Sequence, residues 1–430
     1  MKNTSISTCL VTYLAPLLRP AILFLLSVTP LSSVGSGMQH QSLPLDPALS
    51  ISDVFNSARQ RAIEQPILTA QQQRADNFTD LGKRWTNGSP SVDAIYWQDK
   101  MLDDIGLEEW EAGVTFDLWR WKERSASQSL ASHYQALTQD WRDFIDWNLR
   151  GQVNQTLLAL SHAEALLSFQ KMAVDDAERL VSASKQLYQA GSISQLQLMQ
   201  AQSVLAGQQS LLLEHEAAMV DAEREYQILT GLDRRPHQSI SAIDLNLSDQ
   251  EIENHVHNNV TLKLYRAELE VAEAKFNKAK LAAAPSPQMR LGVRKQQSTY
   301  QDDTITSVGL SFSLPIASSR YIRTVTSEVE IEIANAKVAL HQQEREMQRL
   351  MHELEHSLYV NQQALAIMAS QVAALEQQKL MALTAFDAGE TNLAETLYTL
   401  QHVHTTERDA LLLQEKRRML LVQFNHLLGL

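Results

Sequence analysis

Glycine and proline are scarce in this chain. Its 430 residues include 14 glycines and 11 prolines, about half of their usual share of ~12%. Because these residues interrupt secondary structure, their scarcity predicts few turns and long helices. After residue 30, no apolar run approaches the ~18 residues that a membrane-spanning helix needs. The sequence therefore excludes a helical membrane protein, and strands that close on themselves are the remaining way to cross a bilayer.

Cysteine is almost absent, and Cys9 is the single example. It precedes the apolar stretch 21–28, so it cannot be the lipid-modified cysteine that follows the apolar part of a lipoprotein signal. Basic Lys2 and Arg19 before this stretch, and small residues after it, are typical of an export signal. We expect residues 1–36 to be a signal peptide, and the exported chain to contain no disulfide and no thiolate metal site.

Acidic residues outnumber basic ones. Asp and Glu together number 50 and Lys and Arg 37, which gives a net charge of −13 at pH 7. A surface of this sign repels phosphate backbones, so the composition argues against nucleic acid as a partner.

The chain repeats itself around two clusters of glycine and proline. Residues 111–118 (Glu-Ala-Gly-Val-Thr-Phe-Asp-Leu) align with residues 307–314 (Ser-Val-Gly-Leu-Ser-Phe-Ser-Leu) at an offset of 196. The Ala-Gly turns at Gly191 and Gly389 then align at an offset of 198. A nearly constant offset at separated places indicates a tandem duplication of one structural unit.

Each repeat is predicted to hold a strand pair followed by a long helical hairpin. Residues 37–232 form the first repeat, with strands at about 91–118 and a hairpin at 119–230 whose tip is at 191; residues 233–430 form the second, with strands at about 288–315 and a hairpin at 316–428 whose tip is at 389. One helix over the second of these long segments would extend about 100 Å, more than a globular core accommodates. Leu354, Leu358 and Leu365 begin a seam with coiled-coil spacing.

The strands have one apolar and one polar face, because apolar and polar residues alternate along 111–118 and 307–314. Partner strands are predicted near 92–98 and 288–295. Five of the seven tryptophans lie between Trp85 and Trp121, near strand ends, where an interfacial aromatic girdle would place them. The alternation fits a soluble half-buried hairpin and a membrane hairpin equally. Four strands cannot close a sheet, so the membrane interpretation requires a homo-oligomer of two, three or four chains.

The duplicated order of helix, strand pair, long helix, turn and returning helix resembles the TolC-like outer-membrane efflux factors over essentially the whole exported chain. The motifs that carry the resemblance are 113–118 with its copy 309–315, and 188–194 with its copy 386–392. The stretch 110–124 is most similar to the branch that serves heavy-metal and cation pumps.

The resemblance implies a mainly α-helical homotrimer in which three chains share one 12-stranded outer-membrane β-barrel and a long periplasmic α-barrel. Such a protein is the passive exit duct of a tripartite efflux pump. It lies in the outer membrane, contacts lipid, needs no cofactor and is not an enzyme. Its partners are an inner-membrane transporter and a periplasmic adaptor that docks on the hairpin tips. The matching tip residues are Gly191, Ser192, Ser194, Gly389, Glu390 and Asn392, and Glu395 matches an acidic position at the periplasmic entrance.

A zinc peptidase, a periplasmic adaptor and a soluble coiled-coil scaffold stay open as functions at this point. Residues 352–356 (His-Glu-Leu-Glu-His) match the H-E-x-x-H pattern of zinc peptidases, with His352 and His356 as ligands and Glu353 as base. Both histidines are predicted to lie on the polar face of a long helix, roughly opposite the leucine seam, which argues against a catalytic site inside a domain.

Two further histidine pairs, His255 with His257 and His402 with His404, are spaced two apart. Residues at this spacing do not face each other on a helix. These pairs are therefore predicted to be solvated surface histidines.

Overall fold

The computed structural model describes residues 42–99, 101, 106–237, 240, 248–298, 301–316 and 318–430, without the side chains of 249, 298, 301–303 and 387. The signal peptide predicted over residues 1–36 lies outside these ranges.

Eight helices in the described residues dominate the fold. They are α1 (Ile51–Gln60), α2 (Gln65–Lys83), α3 (Glu123–Gln189), α4 (Gln195–Thr230), α5 (Asp249–His257), α6 (Val260–Leu281), α7 (Ser319–Asp387) and α8 (Leu393–Leu428). With 67 residues in α3 and 69 in α7, each of these two helices is about 100 Å long. None of the helices in the described ranges is both long and apolar enough to cross a bilayer.

Four strands form one antiparallel sheet beyond the ends of the long helices. They are β2 (Ser91–Gln98), β3 (Leu107–Asp117), β5 (Gln288–Ser298) and β6 (Gln301–Ser313), in the order β2-β3-β5-β6. Two short strands, β1 (Leu45–Asp46) and β4 (Arg235–Pro236), pair in parallel elsewhere. The predicted fold class, mainly helical with a small strand component, is confirmed.

The two hairpins, α3 with α4 and α7 with α8, occupy equivalent positions in the chain order, and each follows a pair of sheet strands. Each sheet-strand pair is in turn preceded by two shorter helices. In one of these, α2, Pro66 lies in the first turn, where a missing N–H costs nothing. In another, α6, the side chain of Asn259 accepts a hydrogen bond from the N–H of Thr261 and caps the helix start.

Most of the core lies where helices pack side by side. α3 contacts α2, α4, α6 and α8, while α7 contacts α6 and α8. Near the C-terminal end of α4, Tyr226 is fully buried, and its hydroxyl donates to the carbonyl of Arg234 at 3.0 Å. The satisfied hydroxyl lets a large ring lie in the core without an unpaired polar group.

Candidate functional site

The exposed sheet is the first candidate site, and its two faces differ sharply in chemistry. Residues opposite one another on neighbouring strands share a face. One row of the apolar face holds Val92, Val114, Leu291 and Leu310, and the next holds Ala94, Ala112, Val293 and Val308. Val92 is 80% exposed, Val308 75% and Leu310 70%. An apolar surface of this extent is uncommon on a water-soluble monomer and marks an interaction surface.

Aromatic pairs bound this apolar face at both ends. Tyr96 and Trp110 lie 4.5 Å apart between ring centroids near the loop end, and Trp85 and Phe116 lie 5.2 Å apart near the helix end. Trp110 and Phe116 are six residues apart on β3, a distance of about 20 Å. Transmembrane strands present an apolar band about 25 Å tall to lipid, flanked by aromatic residues. Trp97 does not join this arrangement, since it lies opposite Glu109 on the polar face.

Charged side chains cross the polar face of the same sheet. The guanidinium of Arg290 on β5 donates to Asp93 on β2, two strands away, with a shortest distance of 2.6 Å, and also bonds Glu111 on β3. It reaches Asp93 by lying over Gly113, where an added Cβ would come within 2.8 Å of the guanidinium. Gly113 thus leaves the space that the guanidinium occupies, and the ion pairs fix the register of three strands. Sequence reasoning missed Arg290, because its partner Asp93 is 197 residues away.

Arg120 connects the sheet to the helices. Its guanidinium donates to the carbonyl of Pro285 at 2.8 Å and to that of Pro315 at 2.7 Å. These two prolines lie before β5 and after β6, so one side chain holds the entry and the exit of the second strand pair. Arg124, in the first turn of α3, donates to the carbonyl of Gly82 at the end of α2. The basic stretch after β3 thus has a structural role that its sequence did not indicate.

The hairpin tips are the second candidate site, and the same turn forms both. Gly191 and Gly389 each have φ of +74°, in the left-handed region that favours glycine. The N–H of Ser192 donates to the carbonyl of Leu187 at 2.9 Å, and the N–H of Glu390 donates to that of Ala385 at 2.8 Å. These are the long-range bonds of a Schellman motif, which satisfies the last carbonyls of each descending helix.

The returning helices start with side-chain caps. Ser194 caps α4 by accepting from the N–H of Gln197, and Asn392 caps α8 by accepting from the N–H of Glu395 at 2.9 Å. The side chain of Gln197 also reaches back to the N–H of Ser194 at 2.9 Å. The carboxylate of Glu395 is exposed and has no hydrogen bond or ion pair to any described residue. The two equivalent positions therefore differ, and Glu395 leaves its charge available.

The tips also expose apolar side chains. On the first hairpin Leu196 and Met199 are exposed, and on the second Leu380, Met381 and Tyr398 are exposed. Exposed apolar side chains at the end of a helical hairpin are suited to contact another protein.

One cluster of polar side chains links the two hairpins by hydrogen bonds, between the hairpin tips and the sheet. Asp176 of α3 accepts hydrogen bonds from Lys379 of α7 at 2.8 Å and from His404 of α8 at 3.2 Å. Burial tends to raise the pKa of Asp176, but the bonds from Lys379 and His404 outweigh it and hold this pKa below its usual value. The prediction that His404 is a solvated surface residue is therefore wrong, because a carboxylate from the other hairpin covers it.

The predicted peptidase motif lies on the outside of α7. His352 and His356 are exposed, and the carboxylate of Glu353 accepts from Arg349 at 2.6 Å. In the part of the chain that the structure describes, no group of three or more acidic, histidine or cysteine side chains is placed to hold a metal ion. The arrangement offers a paired glutamate instead of a free base, and it does not favour the peptidase interpretation.

Residues 69–232 match the profile of the family described as outer membrane efflux protein. No curated protein sequence matches the chain.

Solved structures match it over most of their length. The outer membrane protein VceC from Vibrio cholerae has 14% identity, covers 88% of this chain and 96% of its own, and has a TM-score of 0.69. CusC, whose description concerns folding and transmembrane channel formation, has 15% identity, covers 91% and 95%, and has a TM-score of 0.71. The CmeC outer membrane channel of Campylobacter jejuni has 12% identity, covers 88% and 84%, and has a TM-score of 0.66. The resemblance to TolC-like outer-membrane efflux factors predicted from the sequence is confirmed.

Proposed function

We propose that this protein is the outer-membrane exit duct of a tripartite efflux pump, and that it works as a homotrimer. The match over residues 69–232 and the channel fold support this function. The duct conducts substrates passively, while an inner-membrane transporter supplies the energy and a periplasmic adaptor joins the two.

One observation carries the proposal: among the described residues, the sheet has an exposed apolar face and two edges with no strand paired to them. β2 and β6 each have a neighbour on one side within the chain. Unpaired backbone groups are too costly to leave facing lipid. Three copies that pair β2 of one chain with β6 of the next would form a closed sheet of twelve strands, with the apolar rows outward and the Arg290 ion pairs inward.

The helical part has the length that a periplasmic extension requires. α3 and α7, each about 100 Å long, place the tips at Gly191 and Gly389 far from the sheet. The proposed membrane end and the proposed docking end thus lie at opposite ends of one helical body.

Disulfide formation between strand edges tests the trimer directly, because Cys9 is the only native cysteine. Ser91→Cys on β2 is combined in turn with Ser307→Cys, Ser311→Cys and Ser313→Cys on β6. We expect one combination to give a covalent trimer in outer-membrane fractions. As a control, Ser91→Cys with Thr115→Cys joins residues that face each other within one chain, so it should form a disulfide without linking chains. Exclusively monomeric products from every β2–β6 combination, with the control disulfide formed, would contradict the proposal.

The tips are proposed as the docking site of the adaptor, through Gly191, Ser192 and Ser194 on the first hairpin and through Gly389, Glu390 and Asn392 on the second. Gly191→Pro and Gly389→Pro change the turn without touching the sheet. We expect these variants to form trimers that conduct in planar bilayers but fail to restore efflux in a host that lacks the gene. Normal efflux by such trimers would remove the docking role and leave the duct function intact.

Glu395 is proposed to line the periplasmic entrance. Threefold symmetry would turn its unpaired carboxylate into a ring of three negative charges, which favours cations over anions. Bilayer recordings of Glu395→Gln should show reduced cation selectivity, whereas Glu390→Gln, an exposed acid nearer the turn, should change it less. Equal selectivity in wild type and Glu395→Gln would remove this residue from the entrance.

A further inference from the structure

Two histidines lie side by side on the exposed face of α7. His352 and His356 are separated by four residues, so their Cβ atoms are neighbours on one helix face. Their ring centroids are 6.2 Å apart, and the ring planes differ by 15°. Both residues are exposed. The helix backbone therefore holds two imidazoles in the same direction before any ligand arrives.

Neither imidazole is occupied by a neighbour from its own chain. Among the described residues, His352 and His356 have no hydrogen bond or ion pair. The adjacent acid, Glu353, is held away by Arg349, which also bonds Glu346 at 2.7 Å. Ring nitrogens that are exposed and unpartnered can bind an ion without first breaking a contact.

The other histidine pairs in the chain differ on both counts. His255 and His257 are two residues apart, and a ring nitrogen of His255 lies 3.2 Å from the carbonyl oxygen of Leu428. His402 and His404 have the same spacing, and His404 is bound to Asp176. In each of these pairs the two imidazoles do not share a direction, and at least one of the two rings already has a partner.

We propose that His352 and His356 form a two-imidazole chelate for a divalent d-block cation such as Cu²⁺, Ni²⁺ or Zn²⁺. Imidazole suits these ions, whereas Mg²⁺ and Ca²⁺ prefer oxygen ligands. Two protein ligands leave the remaining coordination positions to water, so the ion binds reversibly and does not form a closed structural site. Glu355 lies three residues after His352 on the same face and adds negative charge beside the ion. The proposal does not depend on the duct function.

Metal titration of the full-length protein, purified in detergent without a histidine tag, tests the chelate. The probe is Cu²⁺ alone, followed by calorimetry and by electron paramagnetic resonance, which detects coupling to coordinating nitrogens. We expect one site per chain with coupling to two imidazole nitrogens. His352→Ala and His356→Ala should each weaken binding at least tenfold and remove one nitrogen coupling. Mg²⁺ should not compete.

Two control variants separate this chelate from other metal sites. His402→Ala removes an exposed histidine outside the pair and should leave the affinity unchanged. Glu353→Gln removes the acid that a peptidase would use and should also leave it unchanged. Unchanged affinity in the His352→Ala/His356→Ala double variant would overturn the proposal, and so would loss of binding in Glu353→Gln, since it would assign the ion to a carboxylate. Both binding results can be obtained whether or not the protein conducts as a channel, so they test the chelate separately from the proposed function.

Discussion

The tip glycines give the sharpest quantitative prediction. Gly191 has φ of +74°, and an added Cβ would meet no atom within 4 Å. Gly191→Ala therefore introduces backbone strain without a clash. A left-handed conformation costs an L-residue about 1–2 kcal/mol. This cost should raise the equilibrium constant for opening of the tip turn about 5 to 30 times. Asn tolerates this conformation better than Ala, so Gly191→Asn should cost less.

Hydrogen exchange of the amide of Ser192 measures this change, because that N–H closes the turn by donating to Leu187. Gly191→Ala should accelerate its exchange by the same factor of about 5 to 30. Gly207→Ala is a matched control: Gly207 lies inside α4, also has space for a Cβ, and has no left-handed φ. The Gly207→Ala substitution should stabilise α4 by about 0.5–1 kcal/mol. Exchange at Ser192 that is as slow in Gly191→Ala as in wild type would refute the strain argument.

Three further predictions concern the helical body and its junction with the sheet. Burial, assisted by the charge of Arg150, lowers the pKa of His426 to about 4. As the pH falls below ~6.5, the unfolded state therefore binds the proton first, and about 2 kcal/mol of folding stability should be lost between pH 7.5 and 5. Denaturation measured at both pH values should show that His426→Gln abolishes this part of the loss. Asn259→Ala removes a helix cap and a 2.7 Å bond to the carbonyl of Leu427, and thermal unfolding should show a cost of about 2 kcal/mol. Arg120→Gln should loosen the junction, so protease cleavage near residue 285 should become faster than in Arg120→Lys, which keeps the positive charge.

The sequence predicted best what depends on local periodicity. Alternation along 111–118 and 307–314 located β3 and β6, and the scarcity of glycine and proline located the long helices. The alternation predicted β2 less well, because Ile95 and Trp97 lie on the same face of the sheet as Asp93 and interrupt the pattern.

Interactions between distant parts of the chain could not be predicted from pattern alone. Arg290 with Asp93, and Asp176 with His404, join residues roughly 200 positions apart. From sequence alone, a charged residue on a polar face is predicted to be solvated. Its partner can be identified only from the packed strands or hairpins. The row of Gly113, Gly292 and Gly309 was a possible signal, because strand glycines often mark a close approach.

The middle of the sheet has a consequence for the order in which the chain can fold. β3 pairs with β5, so the central ladder joins residues about 170 to 190 positions apart, from Asp117 with Gln288 to Leu107 with Ser298. A chain that is exported from its N-terminal end presents the β2–β3 hairpin first, with one apolar face and an open backbone edge. In an exit duct exported as proposed, completion of the ladder must wait until the second strand pair has crossed the inner membrane. Under that proposal, the rate of export, and not the pairing of strands alone, sets how long an aggregation-prone edge is exposed.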